Sequence, residues 1–197
     1  MTKYLLALSI AFCSLSFSGV INAPIERLGV KGPLTFNKIN FNLSWSDKPN
    51  ETYFIQEYLP AGEKTENFIQ LLTLHLFNKD IPLKNAVDQK VQELNNRKLT
   101  DAVCNYAITQ KAGGSEYMVD FILSESVGNK KTIAEFNIYR YKQVQLGTKK
   151  GILVYAYSKR SYGNDITGFL KKLKADRATM LNTMATTEIP TVTINEK

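Results

Sequence analysis

Cys104 and His75 are the candidates in this sequence for a thiol nucleophile and its base. Such a pair is assembled by the fold and not by sequence spacing. Cys104 falls on an apolar strand face, where a cysteine packs as a small hydrophobic residue, and His75 lies beside an apolar run that includes Leu72 and Leu76. We therefore expect structural roles for both side chains.

A pair of carboxylates is the second candidate for chemistry. Asp120 and Glu135 fall on neighbouring predicted strands, and two adjacent carboxyl groups can act as general acid and base or hold a cation. The alternative is that both are exposed or paired with Lys and Arg, as charged strand residues usually are.

Four tyrosines recur at alternate strand positions and offer an aromatic binding platform, although such rings more often fill the space between a sheet and a helix. They are Tyr139, Tyr141, Tyr155 and Tyr157.

Motifs for metals and cofactors are missing from the sequence. A single histidine excludes a structural zinc site or a multi-histidine metal site, and no acidic loop of the EF-hand type occurs. There is no phosphate-binding glycine loop, dinucleotide fingerprint or nucleophile elbow. We expect no cofactor and no metal, and no motif assigns a catalytic residue.

The first 23 residues have the pattern of a secretory signal peptide. Lys3 precedes an apolar stretch that contains several serines, and Ala23 stands before Pro24, which predicts cleavage after Ala23. The bulky Phe12 before Cys13 argues against lipid attachment at that cysteine. We expect an exported protein, in the periplasm or outside the cell, that is not an integral membrane protein after cleavage.

The mature chain is basic and has one cysteine. Removal of residues 1–23 takes away Lys3 and no acidic residue, which leaves 24 basic and 18 acidic residues, a net charge of +6. Such a charge favours an anionic surface, lipid or polysaccharide, as a partner, and the Lys171, Lys172 and Lys174 run is its candidate. Export argues against a nucleic-acid partner, and Cys104 alone cannot form an internal disulfide.

Hydrophobic periodicity predicts the element order. Alternation over 41–45 and 52–59 predicts a hairpin, and Phe68, Leu72 and Leu76 at i, i+4 and i+8 predict a helix over 65–77. The alternation of Leu72, Leu74 and Leu76 would also suit a strand. A second helix follows from about Asp80 to Lys98, then strands over 102–110, 116–124, 132–144 and 151–159, and a long helix over 165–184.

Two glycine-containing turns fix the registers of three strands. Gly113-Gly114 at the centre of one turn places Tyr106 opposite Phe121, and Gly128-Asn129 at the centre of the next places Phe121 opposite Phe136. The apolar side chains then share one face, and the other face is mixed. That mixed face is the candidate ligand-binding patch, and its residues are Asn105, Asp120, Glu135, Asn137 and Tyr139.

The order of elements resembles the PsbP-like fold, which includes DcrB-like envelope proteins, over residues 34–184. The stretch 57–68 also resembles the strand-to-helix entry of uncharacterised exported bacterial proteins. The resemblance implies an accessory or binding role and carries over no functional residue.

These observations predict a signal peptide over 1–23, one α+β domain over 34–184 and a flexible tail over 185–197. The fold class is an αβα sandwich in which an antiparallel sheet, a hairpin plus a four-stranded meander, packs against helices in the order ββααββββα. We expect a non-catalytic binding or accessory module of the bacterial cell envelope, whose partner is an envelope protein or an anionic surface. The alternatives are a hydrolase that uses Asp120 and Glu135, or a protein that binds anionic lipid or polysaccharide.

Overall fold

A computed structural model describes residues 23–195 of the chain. Those residues form eight strands and two α-helices. The elements are β1 (Leu34–Phe36), β2 (Ile39–Asn50), β3 (Tyr53–Pro60), β4 (Gln70–Phe77), α1 (Leu83–Arg97), β5 (Asn105–Gln110), β6 (Glu116–Val127), β7 (Lys130–Leu146), β8 (Lys149–Tyr162) and α2 (Ile166–Thr186).

All eight strands belong to one antiparallel sheet in the order β1-β2-β3-β4-β8-β7-β6-β5. Two four-stranded meanders therefore join where β4 pairs with β8. The sheet curls strongly, because the rings of Phe36 on β1 and Tyr157 on β8 stack with centroids 4.4 Å apart although three strands separate them in the sheet. We call the concave surface the inner face and the opposite surface the outer face.

The helix predicted over 65–77 is wrong, because Gln70–Phe77 is strand β4. Its position between β3 and β8 leaves Leu71 through Leu76 buried on both faces. A spacing of four residues is also two strand periods, so Phe68, Leu72 and Leu76 fit a strand face as well as a helical stripe. A short apolar run of this kind is ambiguous until its neighbours are known.

The register predicted from Gly113-Gly114 is confirmed, and the register predicted from Gly128-Asn129 is wrong over most of its length. Tyr106 pairs with Phe121, but Phe121 pairs with Asn137 and not with Phe136. The β6–β7 turn itself pairs Val127 with Lys130 as predicted, and a bulge between Glu125 and Ser126 shifts the pairing of the residues farther from the turn by one. A one-residue shift turns every later side chain of β7 to the other face.

The two helices pack on opposite faces of the curled sheet. On the outer face, Val87 and Leu94 of α1 contact Val119 and Phe121 of β6. On the inner face, Met180 and Met184 of α2 join the largest core cluster. The predicted second and last helices are thus confirmed, but the fold is a mostly β, curled half-barrel with two helices, not an αβα sandwich, because the sheet closes around much of its own core.

Both ends of the described chain pack into the inner side of the half-barrel. Leu28 and Val192 belong to the main core cluster, and the Thr193 amide donates to the Leu28 carbonyl at 2.9 Å. The range predicted as a flexible tail thus includes the end of α2 and packed residues up to 195. No helix among residues 23–195 is long and apolar enough to cross a membrane.

Candidate functional site

A row of side chains crosses the outer face at the centre of the sheet. Trp45 pairs with Glu57, Glu57 with Thr73, Thr73 with Ala156, and Ala156 with Tyr139. Residues that pair directly in an antiparallel sheet present their side chains on the same face. The single tryptophan of the chain is therefore the cross-strand neighbour of a carboxylate, and 39% of its surface is exposed.

Glu57 is a half-buried carboxyl group without a direct partner. Its carboxylate makes no hydrogen bond or ion pair with any residue from 23 to 195. Burial raises its pKa to about 7, and the negative charge of Glu135 adds to this effect while Arg160 opposes it. Because carboxylates removed from water are normally paired, a half-buried Glu57 without a partner among residues 23–195 is an unusual feature of this face.

Arg160 and Glu135 form an ion pair beside Glu57. The Arg160 Nη2 atom lies 2.6 Å from Glu135 Oε2, and Arg160 Nε donates to the same oxygen at 2.7 Å. The guanidinium also lies 4.0 Å from the ring centroid of Phe68, a stacking arrangement that favours a cation. Arg160 is thus held by its pair with Glu135 and by the ring of Phe68.

Below α1, a buried histidine lies among aromatic rings. Tyr53 Oη is 2.9 Å from His75 Nδ1, and the His75 and Tyr139 ring centroids are 5.7 Å apart. Burial lowers the pKa of His75 to about 3, and the nearby charge of Lys90 adds to this effect. Lys90 itself pairs with Glu93 at 2.8 Å. The imidazole is therefore neutral at physiological pH.

Two buried polar atoms on the outer face lack a hydrogen-bond partner among residues 23–195, His75 Nε2 and Asn137 Nδ2. The Asn137 side-chain oxygen accepts a bond of 2.6 Å from Ser158. A buried donor without an acceptor lowers the stability of the folded protein by about 1–3 kcal/mol. These two nitrogen atoms could each still form a hydrogen bond.

The five residues predicted as one patch are divided between the two faces. Glu135, Asn137 and Tyr139 lie on the outer face. Asn105 and Asp120 lie on the inner face, since Asn105 pairs with Ile122 and Asp120 with Ile138. The bulge between Glu125 and Ser126 causes this division, because it turns β7 over relative to β6.

Asp120 is an anchoring residue for α2. Its two oxygens accept hydrogen bonds of 2.7 and 2.8 Å from Arg177. Asp120 and Glu135 therefore lie on opposite faces, each bound to an arginine, and neither is a neighbour of the other. The four tyrosines divide in the same way, because Tyr139 and Tyr141 lie on the outer face and Tyr155 and Tyr157 pack in the inner core.

Cys104 lies under α1, where its Sγ atom is 3.5 Å from the Leu94 carbonyl oxygen. Burial raises the pKa of its thiol, with a further contribution from Asp101, whereas a nucleophilic thiol needs a lowered pKa. Among residues 23–195 no three His, Cys, Asp or Glu side chains come together in a way that could hold a metal ion.

Sequence reasoning did not identify Glu57 and Trp45. The alternation over 52–59 places Tyr53, Ile55 and Glu57 on one face, and a carboxylate between buried apolar positions is an unusual pattern that marks Glu57. The sequence did not show which strand pairs with β3 at Glu57, because the residues of β4 are predicted to form a helix.

The comparison with protein families gives one match to this chain. The model of one family matches residues 28–189. The chain belongs to this uncharacterised family. The match includes every strand and both helices of the described structure.

The remaining comparisons give no relative of known role. No curated protein and no solved structure matches the chain. The resemblance to PsbP-like proteins rested on two consecutive helices before the four-stranded meander, and the first of these is strand β4. Family membership gives no link to PsbP-like or DcrB-like proteins.

Proposed function

We propose that this protein is an exported, non-catalytic binding module of the bacterial cell envelope that recognises a cationic group at Glu57 and Trp45. The observation that carries the proposal is a half-buried carboxylate with no partner among residues 23–195, next to an exposed indole ring. A positively charged group there gains a Coulombic partner and the face of an aromatic ring at once. An ammonium or guanidinium group of an envelope protein has this chemistry.

The charges around the site support binding over hydrolysis. The two carboxylates considered as acid and base, Asp120 and Glu135, lie on opposite faces and are each bound by an arginine. General acid and base must both reach one reacting group, and this pair does not. Glu57 is a half-buried carboxylate that no group among residues 23–195 occupies, so it can bind a ligand.

Fluorescence of Trp45 provides a direct test, because it is the only tryptophan in the chain. The probes are butylammonium and arginine amide, titrated into the purified protein, with uncharged butanol as control. We expect a saturable change in Trp45 emission with both cations and none with butanol.

The pH dependence of binding makes the test specific for Glu57. Because its pKa is about 7, the ionised fraction rises about tenfold between pH 6 and pH 8, and we expect the affinity for both cations to rise by about that factor. Glu57→Gln should abolish saturable binding at both pH values, whereas Glu66→Gln, an exposed position, should leave it unchanged. Equal binding by wild type and Glu57→Gln would exclude the proposal.

A second candidate function uses the basic face of α2. Lys171, Lys172 and Lys174 are all exposed, as an anionic lipid or polysaccharide surface requires, although Lys172 pairs with Asp176 at 2.6 Å. Binding to vesicles that contain anionic lipid should then weaken steeply with salt and be lost on replacing Lys171 and Lys174 with Gln. Glu57→Gln separates the two candidates, because it should not affect vesicle binding.

A further inference from the structure

The two edges of the sheet differ in how they are protected against pairing with another chain. Beyond β1, the free edge of β2 contains Asp47, Lys48 and Pro49, and its pairing with β3 has two irregularities. Charges, proline and bulges are the features that natural edge strands use to prevent association. The edge formed by β5 has none of them, since Asn105–Gln110 reads Asn-Tyr-Ala-Ile-Thr-Gln.

The outward hydrogen-bonding groups of β5 follow from its pairing with β6. The Lys111 amide donates to the Glu116 carbonyl at 3.0 Å, so alternate residues back along the strand also point their backbone groups toward β6. Tyr106, Ile108 and Gln110 therefore direct their N–H and C=O groups to the free edge. Among residues 23–195, β6 is the only strand that pairs with β5.

We propose that two copies of this chain associate through β5, antiparallel and related by a two-fold axis that passes between their Ile108 residues. In this register the two Ile108 residues form a hydrogen-bonded pair, and Tyr106 of each copy is opposite Gln110 of the other. The sixteen strands then form one continuous sheet.

The absence of charge and the exposed apolar surface at the β5 edge favour a second copy of this chain as its partner. A two-fold axis brings identical residues together, so a charged edge would repel itself, and Asn105–Gln110 contains no charge. At the centre of the edge, Ile108 is 46% exposed, and Leu99 in the segment that leads into β5 is 84% exposed. Pairing of one short strand buries less than the roughly 1,600 Å² of a standard interface, so we expect a weak, reversible dimer.

Sedimentation velocity of the purified protein over a range of concentrations tests the dimer. Ile108→Lys places two like charges at the axis and should raise the dissociation constant at least about tenfold. Ile69→Lys is the matched control, because Ile69 is 45% exposed, precedes β4, and lies away from the β5 edge. We expect Ile69→Lys to associate like wild type.

Directed cross-linking tests the register. Paired Cα atoms in a hydrogen-bonded antiparallel pair are about 5.5 Å apart, within the roughly 4.4–6.8 Å span of a disulfide. With diamide as oxidant, Ile108→Cys should form a covalent dimer and Thr109→Cys should not. A wild type that is monomeric at all concentrations, or equal effects of Ile108→Lys and Ile69→Lys, would overturn the proposal. Equal cross-linking of the two cysteine variants would overturn the register.

Discussion

At the scale of single residues, the structure assigns distinct roles to charges that look alike in the sequence. Glu135 and Asp120 are compensated by arginines at 2.6 and 2.7 Å, whereas Glu57 has no direct partner in the described part of the chain and has a raised pKa. The arginine partners set these differences, because a carboxylate removed from water needs a cation or a proton. Glu57 retains its proton to about neutral pH, and this property links its proposed binding role to stability.

Replacing Glu57 with Gln should change the pH dependence of stability. The pKa of Glu57 is raised from 4.5 to about 7 in the folded protein, so between these values the unfolded chain releases a proton that the folded chain keeps. The stabilising effect is present below pH 4.5 and is lost as the pH rises through 7, and the full shift corresponds to at most about 3 kcal/mol.

Urea denaturation at acid and alkaline pH measures this effect. We expect Glu57→Gln to be more stable than wild type at about pH 8 and of similar stability at about pH 4.5, because Gln mimics the protonated acid. The exposed Glu66→Gln should follow wild type at both pH values. A pH-independent difference between Glu57→Gln and wild type would contradict the assigned pKa. The gain in stability also means that a loss of ligand binding in this variant is not caused by unfolding.

At the scale of elements, helix α2 is fixed to the inner face by apolar packing and by one partly exposed ion pair. Met180 and Met184 pack in the core, and Arg177 reaches across to Asp120 on β6. The Asp120 side chain is 5% exposed and that of Arg177 is 43% exposed. Because the carboxylate is much more buried than the guanidinium, removing Arg177 should lower the stability of the protein: it leaves a buried carboxylate without its cation.

Arg177→Met should therefore destabilise the protein by about 2 kcal/mol, less than for a fully buried pair because solvent screens Arg177. Lys172→Met is the matched control on the same helix, since it removes the same charge from an exposed pair with Asp176, in which the lysine is 70% exposed. Its cost should stay below about 1 kcal/mol. Urea denaturation of both variants tests the difference, and equal costs would show that the Asp120 pair does not anchor α2.

At the scale of the whole molecule, one curled sheet joins distant parts of the chain and presents two different faces. The inner face is filled by the core, α2 and both terminal segments, and the outer face carries α1 and the polar row that contains Glu57. The ends meet where the Asn195 side chain donates to Glu26 at 2.8 Å. The described fold therefore begins only a few residues after the predicted cleavage position.

Export is the prediction that belongs to this scale. The predicted signal peptide lies, apart from Ala23, outside the described residues, and cleavage after Ala23 would leave the packed segment from Leu28 intact. Mass spectrometry of the envelope or secreted fraction should show a mature N-terminus at Pro24. An intact Met1 in a cytoplasmic pool would contradict the predicted compartment and with it the proposed envelope partner.

The local pattern of the sequence was sufficient for several elements. Helices α1 and α2 follow from apolar positions at helical spacing, and the β5–β6 register follows from the Gly113-Gly114 turn, because these features depend on residues close together in the chain. The same reasoning placed Glu135, Asn137 and Tyr139 on neighbouring positions of one strand face.

Only the tertiary structure decided the site. Residues 70–77 are a strand because β3 and β8 flank them, and hydrophobic periodicity alone does not distinguish a doubly buried strand from a buried helix segment. One bulge turned Asp120 away from Glu135, and the β2–β3 pairing brought Trp45 beside Glu57. Sheet pairing and burial are set by contacts between residues far apart in the chain, so they determine which carboxylate lacks a partner.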